Sequence, residues 1–331
     1  MCCKKKFYLI GNGFDLHHKL PTRYSNYKQF VNERDSDLVE NIDSILNELG
    51  YGENEIDQWS FLEEYLGKFT ESDYDHHFDD ALDSAETDMD RAGYYDDPKF
   101  FADEKANNLR NERIGVKKHL KCWIDSIPIK DVIRDPFLLM SKRAYYLNFN
   151  YTKTLEYVYG ISASNLLYIH VKNGEYILGH NQKRDLPFPK PDSNIAFSDD
   201  EEDYDDDIRH VQVKESLNEA YNDIYDEYNK NSKQLIKNNA KFFKNVENAD
   251  FIYIMGLSLG QEDRVYLDYI SKHAKKCQKI VVYVRKRIDI KKIDSILRDK
   301  FPSFKISYKT WPRAYEWIYK IRMFIRSLKE R

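Results

Sequence analysis

The chain is poor in the residues that mark special architectures. Only four of its 331 residues are cysteine: Cys2, Cys3, Cys122 and Cys277. Adjacent Cys2 and Cys3 lack the spacing of a C-x-x-C ligand pair, and the other two stand alone. This argues against a disulfide scaffold and a structural zinc site. Acylation of Cys2 or Cys3 beside Lys4, Lys5 and Lys6 is one reading; an ordinary reduced cytoplasmic chain is the preferred one. Twelve glycines and nine prolines are too few for a collagen-like or low-complexity protein. No apolar run approaches the ~20 residues that a membrane helix needs. Phe7-Tyr8-Leu9-Ile10 is too short for a secretory core segment, and no small-residue cleavage site follows it. The expectation is a cytoplasmic protein with no membrane contact.

What is present points to a folded protein. Hydrophobic residues make up 41% and aromatics 15% of the chain, and the aromatics include 26 Tyr and 18 Phe. A disordered chain would lack those aromatics. The length suits one large domain or two ordinary ones. Net charge is only −4, but the signs are segregated. Acids dominate from about Glu53 to Glu104, and again at Asp199-Asp200-Glu201-Glu202-Asp203-Tyr204-Asp205-Asp206-Asp207. The last sixty residues are basic, with Lys275, Lys276, Lys279, Arg285, Lys286, Arg287, Lys291, Lys292, Arg322 and Arg326. A nucleic-acid-binding face is one reading of this segregation. Neutralisation by the acids of the same chain or of a partner subunit is the other. The pI near 6.2 and the lack of an RNA-binding motif favour neutralisation. The second acidic run lacks the glycine-centred spacing of an EF-hand, so residues 185–207 read as an acidic flexible loop.

Hydrophobic periodicity divides the chain. Residues 6–10 read as a buried first strand, followed by a helix over 24–33. Residues 35–140 read as a helical insertion with little strand signal. Strand-like runs follow at 143–150 and 166–170, with a helix from Thr152 between them. Glu175–Gly179 is expected to pair with the 166–170 run across Lys172-Asn173-Gly174. Strands at 250–256, 280–284 and 304–308 then alternate with helices at 263–274, 288–300 and 312–328. Such alternation predicts a Rossmann-like α/β fold: a mostly parallel sheet with helices on both faces, interrupted by the helical insertion.

In such sheets ligands bind at the carboxyl ends of the strands. Four polar clusters fall there. Gly11-Asn12-Gly13-Phe14-Asp15 is half of a dinucleotide fingerprint, where glycines let a phosphate approach a helix end. Position 16 is Leu, so the full G-x-G-x-x-G is missing, and a tight strand–helix turn explains the pattern equally well. Asp15 either bonds a ribose hydroxyl or caps the helix. Asn150-Tyr151-Thr152 ends the second strand. Its buried amide has to be hydrogen-bonded or functional. His170 ends the third, near Gly179-His180-Asn181. Gly256-Leu257-Ser258 ends another, with Asp263 at the start of the next helix as a candidate cap. Ser258 lacks a G-x-S-x-G elbow and is not a hydrolase nucleophile. His170 and His180 have no third ligand at suitable spacing, so no metal is expected.

The ordered set of motifs resembles the AbiH family, the bacteriophage abortive infection proteins. It comprises Ile10-Gly11-Asn12-Gly13-Phe14-Asp15-Leu16, Leu20-Pro21-Thr22-x-Tyr24, Trp59 with Glu63, Phe149-Asn150-Tyr151-Thr152-x-Thr154-Leu155-Glu156, Ile169-His170, Gly179-His180-Asn181 and Gly256-x-Ser258-Leu259-x-x-x-Asp263. That family in turn looks distantly similar to sirtuin-like NAD-binding domains. The resemblance implies a single sirtuin-like α/β domain over 1–331 that contains the insertion. It implies NAD as ligand or substrate, with Asn150 and His170 catalytic. Asn150 would position water, and His170 would act on a ribose hydroxyl as the glycosidic bond breaks. Gly11, Asn12, Gly13, Phe14, Asp15, Tyr151, His180, Gly256, Ser258 and Asp263 would line the nucleotide.

Three departures from the sirtuin pattern stand out. The first turn is Gly-Asn-Gly-Phe-Asp, Thr152 replaces a motif Asp, and Val171 replaces the Gly after the His. The expected function is an antiviral effector that hydrolyses NAD or a related nucleotide in the manner of an NAD glycohydrolase. A phage trigger, a partner protein or self-association are its expected partners. The alternatives are a non-catalytic nucleotide sensor and a nucleic-acid-acting toxin using the basic C-terminal face.

Overall fold

The structure is a computed structural model, and it describes residues 4–48, 50–66, 78–79, 82–83, 98–172, 174–181 and 201–329. The chain divides into two compact units. Unit 1 comprises residues 1–27, 122–177 and 231–331; unit 2 comprises 28–121 and 178–230. The sequence reading has one domain with an insertion over 35–140. In the structure the segment 178–230 joins 28–121 in a unit of its own, and 122–140 belong to unit 1.

Unit 1 is built on a six-stranded sheet, all parallel. Its strands are β1 (Lys6–Ile10), β2 (Tyr145–Asn148), β3 (Leu166–Tyr168), β6 (Phe251–Met255), β7 (Lys279–Val284) and β8 (Ile306–Thr310). They are arranged β3-β2-β1-β6-β7-β8. This is the Rossmann order, with the chain reversing direction across the sheet between β1 and β6. β1 is central, and Phe7, Tyr8, Leu9 and Ile10 are all buried. A strand covered on both faces must be apolar at consecutive positions, and 7–10 are.

Each face has its own core. On one, Phe7, Leu9, Leu147, Ile252, Ile254, Ile280 and Val282 pack with Phe243, Tyr266, Leu267, Ile270 and Leu297. The last four of these come from the helices Arg264–His273 and Ile290–Lys300. On the other, Tyr8, Ile10, Tyr146 and Met255 pack with Phe14, Leu155 and Tyr159. Tyr8 stacks between Tyr146 and Tyr253, with ring centroids 4.6 and 4.7 Å away. The parallel register sets these rings side by side.

The hairpin forms at the expected place with a different partner. β4 (Val171–Lys172) pairs antiparallel with β5 (Glu175–Tyr176), while Leu166–Tyr168 joins the main sheet beside β2. The apolar side chains of 166–169 gain more burial in the sheet than a two-stranded ribbon could give.

Unit 2 is helical. Its longest elements are the helices Pro98–Lys118 and Glu201–Tyr228. They are joined by Arg110–Asp223 at 3.0 Å, by Lys117–Glu227 at 2.5 Å and by the Ser216 hydroxyl donating to Asp103 at 2.6 Å. Glu201–Asp207, read from the sequence as loop, begins the second of these helices; 185–200 of that expected loop lies outside the described residues. Acids of this unit pair with cations of this unit, as in Lys28–Asp43 and Lys230–Glu63. Basic residues of unit 1 pair likewise within it, as in Lys300–Asp268 and Arg326–Asp131. Each of these four pairs lies within its own unit. No helix among the described residues is long and apolar enough to cross a membrane.

Candidate functional site

The sheet brings the ends of β1, β2 and β3 to one rim. Backbone bonds carry the ladder beyond the strands: Phe149 N–H donates to Ile10 at 2.8 Å, and Ile169 N–H to Asn148 at 3.1 Å. Asn148 is paired with Tyr168 in register. Asn150 and His170 each lie two residues past this pair, just beyond the ends of the adjacent strands β2 and β3.

Asp15 is the centre of this rim. It lies in the short helix Asn12–His17 and is fully buried. Thr152 donates its hydroxyl to Asp15 Oδ2 at 2.5 Å, and Thr152 and Thr154 hydroxyls lie 2.9 Å apart. Burial raises the Asp15 carboxyl to about 6. The hydroxyls of Thr152 and Thr154 and the Asn150 amide act in the opposite direction. Desolvation outweighs them because a carboxylate loses more hydration than these neutral donors replace. Asp15 Oδ1 and Asn150 Oδ1 are both buried and have no hydrogen-bond partner. Two oxygens that accept no hydrogen bond in one buried cluster are uncommon, even with donors on the neighbouring Asp15 Oδ2.

His170 is 5% exposed. Its ring centroid lies 5.3 Å from that of Tyr151, which in turn meets Tyr176 edge-on at 5.9 Å. The Tyr151 hydroxyl donates to the Ile177 carbonyl at 3.1 Å, and Ile177 N–H donates to the His170 carbonyl at 2.8 Å. The hairpin therefore holds Tyr151 against His170. Sequence reasoning passed over Asn148, Thr154, Glu156 and Tyr168 as site residues. Tyr168 donates its hydroxyl to Glu156, and burial raises the phenol well above its usual range. The signal was available in the run Asn148–Glu156, where the polar residues Asn148, Asn150, Thr152 and Thr154 are all buried.

The glycine turn packs closely on the end of β6, in the manner of the tight strand–helix turn that the sequence allows. Gly11 N–H donates to Met255 at 2.9 Å and Gly13 N–H to Gly256 at 2.8 Å, so both donors are occupied. A Cβ on Gly13 would lie 2.6 Å from Gly256 Cα, and one on Gly256 would lie 2.3 Å from Phe14 N. Gly256 also has φ +70°. The crevice between β1 and β6 is thus closed by backbone against backbone. Asn12 is turned to Thr22: its amide donates to the Thr22 carbonyl at 2.7 Å and its side-chain oxygen accepts the Thr22 hydroxyl at 2.5 Å. Phe14 is core, packed against His18, Tyr159 and Trp311. Ser258 is exposed beyond β6. Asp263 stands at the N-cap of Arg264–His273 with no side-chain capping bond, where the sequence suggested a cap.

Gly179-His180-Asn181 belongs to unit 2. His180 N–H donates to Tyr228, and Lys230 N–H donates to His180, both at 2.9 Å. Gly179 has φ +142°, and a Cβ there would lie 1.9 Å from the Tyr228 carbonyl oxygen. His180 is fully buried, 5.0 Å from the Tyr225 ring, and burial with the nearby Lys230 ammonium lowers it to about 4. Lys230 reaches Glu63 at 2.8 Å, and the Trp59 ring N–H donates to Asp43 at 2.9 Å. The motifs singled out in the sequence therefore form two groups. Those at 11–15, 150–154 and 169–170 meet in unit 1; those at 59–63 and 179–181 meet in unit 2. Among the described residues no group of three or more His, Cys, Asp or Glu could hold a metal ion.

A parallel sheet in Rossmann order with a buried polar rim at its carboxyl ends defines a Rossmann-like α/β protein. The bacteriophage abortive infection AbiH family matches residues 7–284, and the chain belongs to that family. Membership implies a role in abortive infection, a defence against bacteriophage. No curated protein and no solved structure matches the chain, so the likeness to sirtuin-like domains rests on its motif residues alone.

Proposed function

We propose that this AbiH protein acts in phage defence by cleaving a ribonucleotide, NAD or a relative, at the rim formed by Asp15, Asn150, Thr152 and His170. The observation that carries the reading is the pair of unpartnered acceptors, Asp15 Oδ1 and Asn150 Oδ1, in one buried cluster at the ends of neighbouring strands. A ribose is a natural complement, because its hydroxyls supply two donors close together. Since the β1–β6 crevice is filled, the sugar would lie over β1, β2 and β3.

Cleavage at such a site needs little machinery. The bond between ribose C1′ and the nicotinamide nitrogen breaks, and its electron pair leaves with neutral nicotinamide. The Asp15 carboxylate offsets positive charge developing on the sugar. A water adds its oxygen to C1′, and its proton passes to a base. Asp15, held near 6, and His170 are the candidates for that base. Asn150 orients the water or the sugar.

The test is release of nicotinamide from labelled NAD by the purified protein, alone and with lysate of phage-infected cells. Release that disappears in Asp15→Asn, Asn150→Ala and His170→Ala supports the proposal. Undiminished release in all three overturns it. Tight NAD binding by calorimetry without release replaces cleavage by a sensor role at the same rim.

A further inference from the structure

The helix Ala314–Lys329 lies beyond the family-matched residues, and its apolar side is uncovered. Only its first turns are seated. Tyr315 is buried and donates its hydroxyl to the Ile133 carbonyl at 2.8 Å. Every residue from Ile321 to Leu328 is exposed. Trp317 is 72% exposed, Phe324 64% and Ile321 57%, with Leu328 and Ile325 close behind. At 3.6 residues per turn these five side chains fall within an arc of about 100°. Lys320 and Arg322 border the arc on opposite sides. The helix has one acid, Glu316, and it is paired with Lys19 at 3.0 Å. Arg326 is paired with Asp131 at 3.1 Å.

A second copy of the chain is a poor occupant for this strip. Five side chains on one helix fall short of the roughly 800 Å² per partner of a standard stable interface. Two copies would also bring the Lys320 and Arg322 borders together, like charge against like. A bulky apolar strip with a cation on each side is the pattern of a helix lying in the plane of a bilayer surface. There the rings and branched chains enter the acyl boundary, and the cations meet anionic headgroups. We propose that Ala314–Lys329 docks the protein onto an anionic membrane surface. This inference is independent of the chemistry proposed for the Asp15 rim.

The test is co-sedimentation of the full chain with phosphatidylcholine vesicles and with vesicles containing a quarter phosphatidylglycerol. The wild-type chain is expected to pellet with the anionic vesicles, and Trp317 emission to shift to the blue. Ile321→Glu with Phe324→Glu should weaken partitioning at least tenfold. Lys320→Gln with Arg322→Gln should weaken it roughly fivefold per charge on anionic vesicles, with little change on neutral ones. Circular dichroism of the variants, whose side chains are exposed, reports that they fold. Three results each overturn the proposal: no pelleting of the wild-type chain, pelleting unchanged in the variants, or a wild-type dimer in sedimentation equilibrium that Ile321→Glu with Phe324→Glu splits into monomers.

Discussion

The Thr152 hydroxyl meets the Asp15 carboxylate at 2.5 Å, joining residues 137 positions apart in the chain. The bond ties the first helix to the end of β2, and it holds a charge that the surroundings disfavour. Asp15 is raised from its ordinary value of 3.8 to about 6. Between those values the folded state binds the proton more tightly than the unfolded one, so stability falls as pH rises through this window and stays low above it. Asp15→Asn keeps the shape and an acceptor for Thr152. It is expected to stabilise the protein at pH 8 by up to roughly 3 kcal/mol and to remove this part of the pH dependence. Denaturant midpoints of both proteins from pH 4 to pH 8 measure it. Under the proposed function the stabilised variant releases no nicotinamide.

His18 works in the opposite sense. Its Nδ1 faces the Phe14 carbonyl at 2.7 Å and its Nε2 the Tyr159 hydroxyl at 2.7 Å. That arrangement suits a neutral ring with the proton on Nδ1. Burial lowers it from 6.5 to about 4, and His180 in unit 2 is lowered to about 4 as well. For both, the unfolded state takes up protons first, so stability is lost as pH falls from about 6.5 toward 4. Two such histidines outweigh the single gain at Asp15, and the protein should weaken on acidification. His18→Gln should flatten its part of the slope, read by urea denaturation at pH 4.5 and pH 7.5.

Gly256→Ala should be among the most damaging small substitutions. The added carbon would lie 2.3 Å from the backbone nitrogen of Phe14, where no flexible side chain can yield, and φ is +70°. A loss of at least ~3 kcal/mol follows from backbone displacement plus conformational strain. Gly50→Ala is the control. Gly50 has φ +79° but open space around it, so its cost is only the strain of ~1 kcal/mol. Comparison of denaturation midpoints separates the two effects.

Lys230 and Glu63 form a largely buried ion pair, with the lysine side chain 4% exposed. Glu63→Ala leaves that ammonium without its acid and should cost about 3 kcal/mol. Lys230→Met combined with Glu63→Ala should recover much of the loss, because neither charge is then left alone. A double-mutant cycle reads the coupling. In Lys230→Met the His180 ring should also titrate upward, since the neighbouring cation that helps to lower it is gone; proton NMR of the ring follows this shift.

The alternation of apolar runs after residue 250 made β6, β7 and β8 legible to within two residues: β6 and most of β7 are continuous apolar runs, while the edge strand β8, ISYKT and only partly buried, is the one displaced by two. β1 was legible for the same reason. The order of strands was not, since periodicity carries no information about which strand pairs with which. Residues 166–168 show the limit: the run was read correctly as a strand, and its partner was found only in three dimensions. The candidate rim was partly readable. Asn150 and Asp15 stood out as polar residues at strand ends, but the bond from Thr152 that brings them together spans the helical unit. Gly11 and Gly13 read equally as room for a phosphate or as a tight strand–helix turn, and only three dimensions showed the Gly256 backbone packed against both. His180 sat ten positions from His170 and was grouped with it, yet the chain passes from unit 1 to unit 2 between Ile177 and Leu178.

The two borders of the sheet carry a consequence for association. β3 offers only three residues, and β8 is flanked by Lys305 and ends near Lys309. A short rim on one side and a cationic one on the other make weak templates for an incoming strand. Copies of this chain are thus discouraged from growing into a continuous ribbon through these two edges.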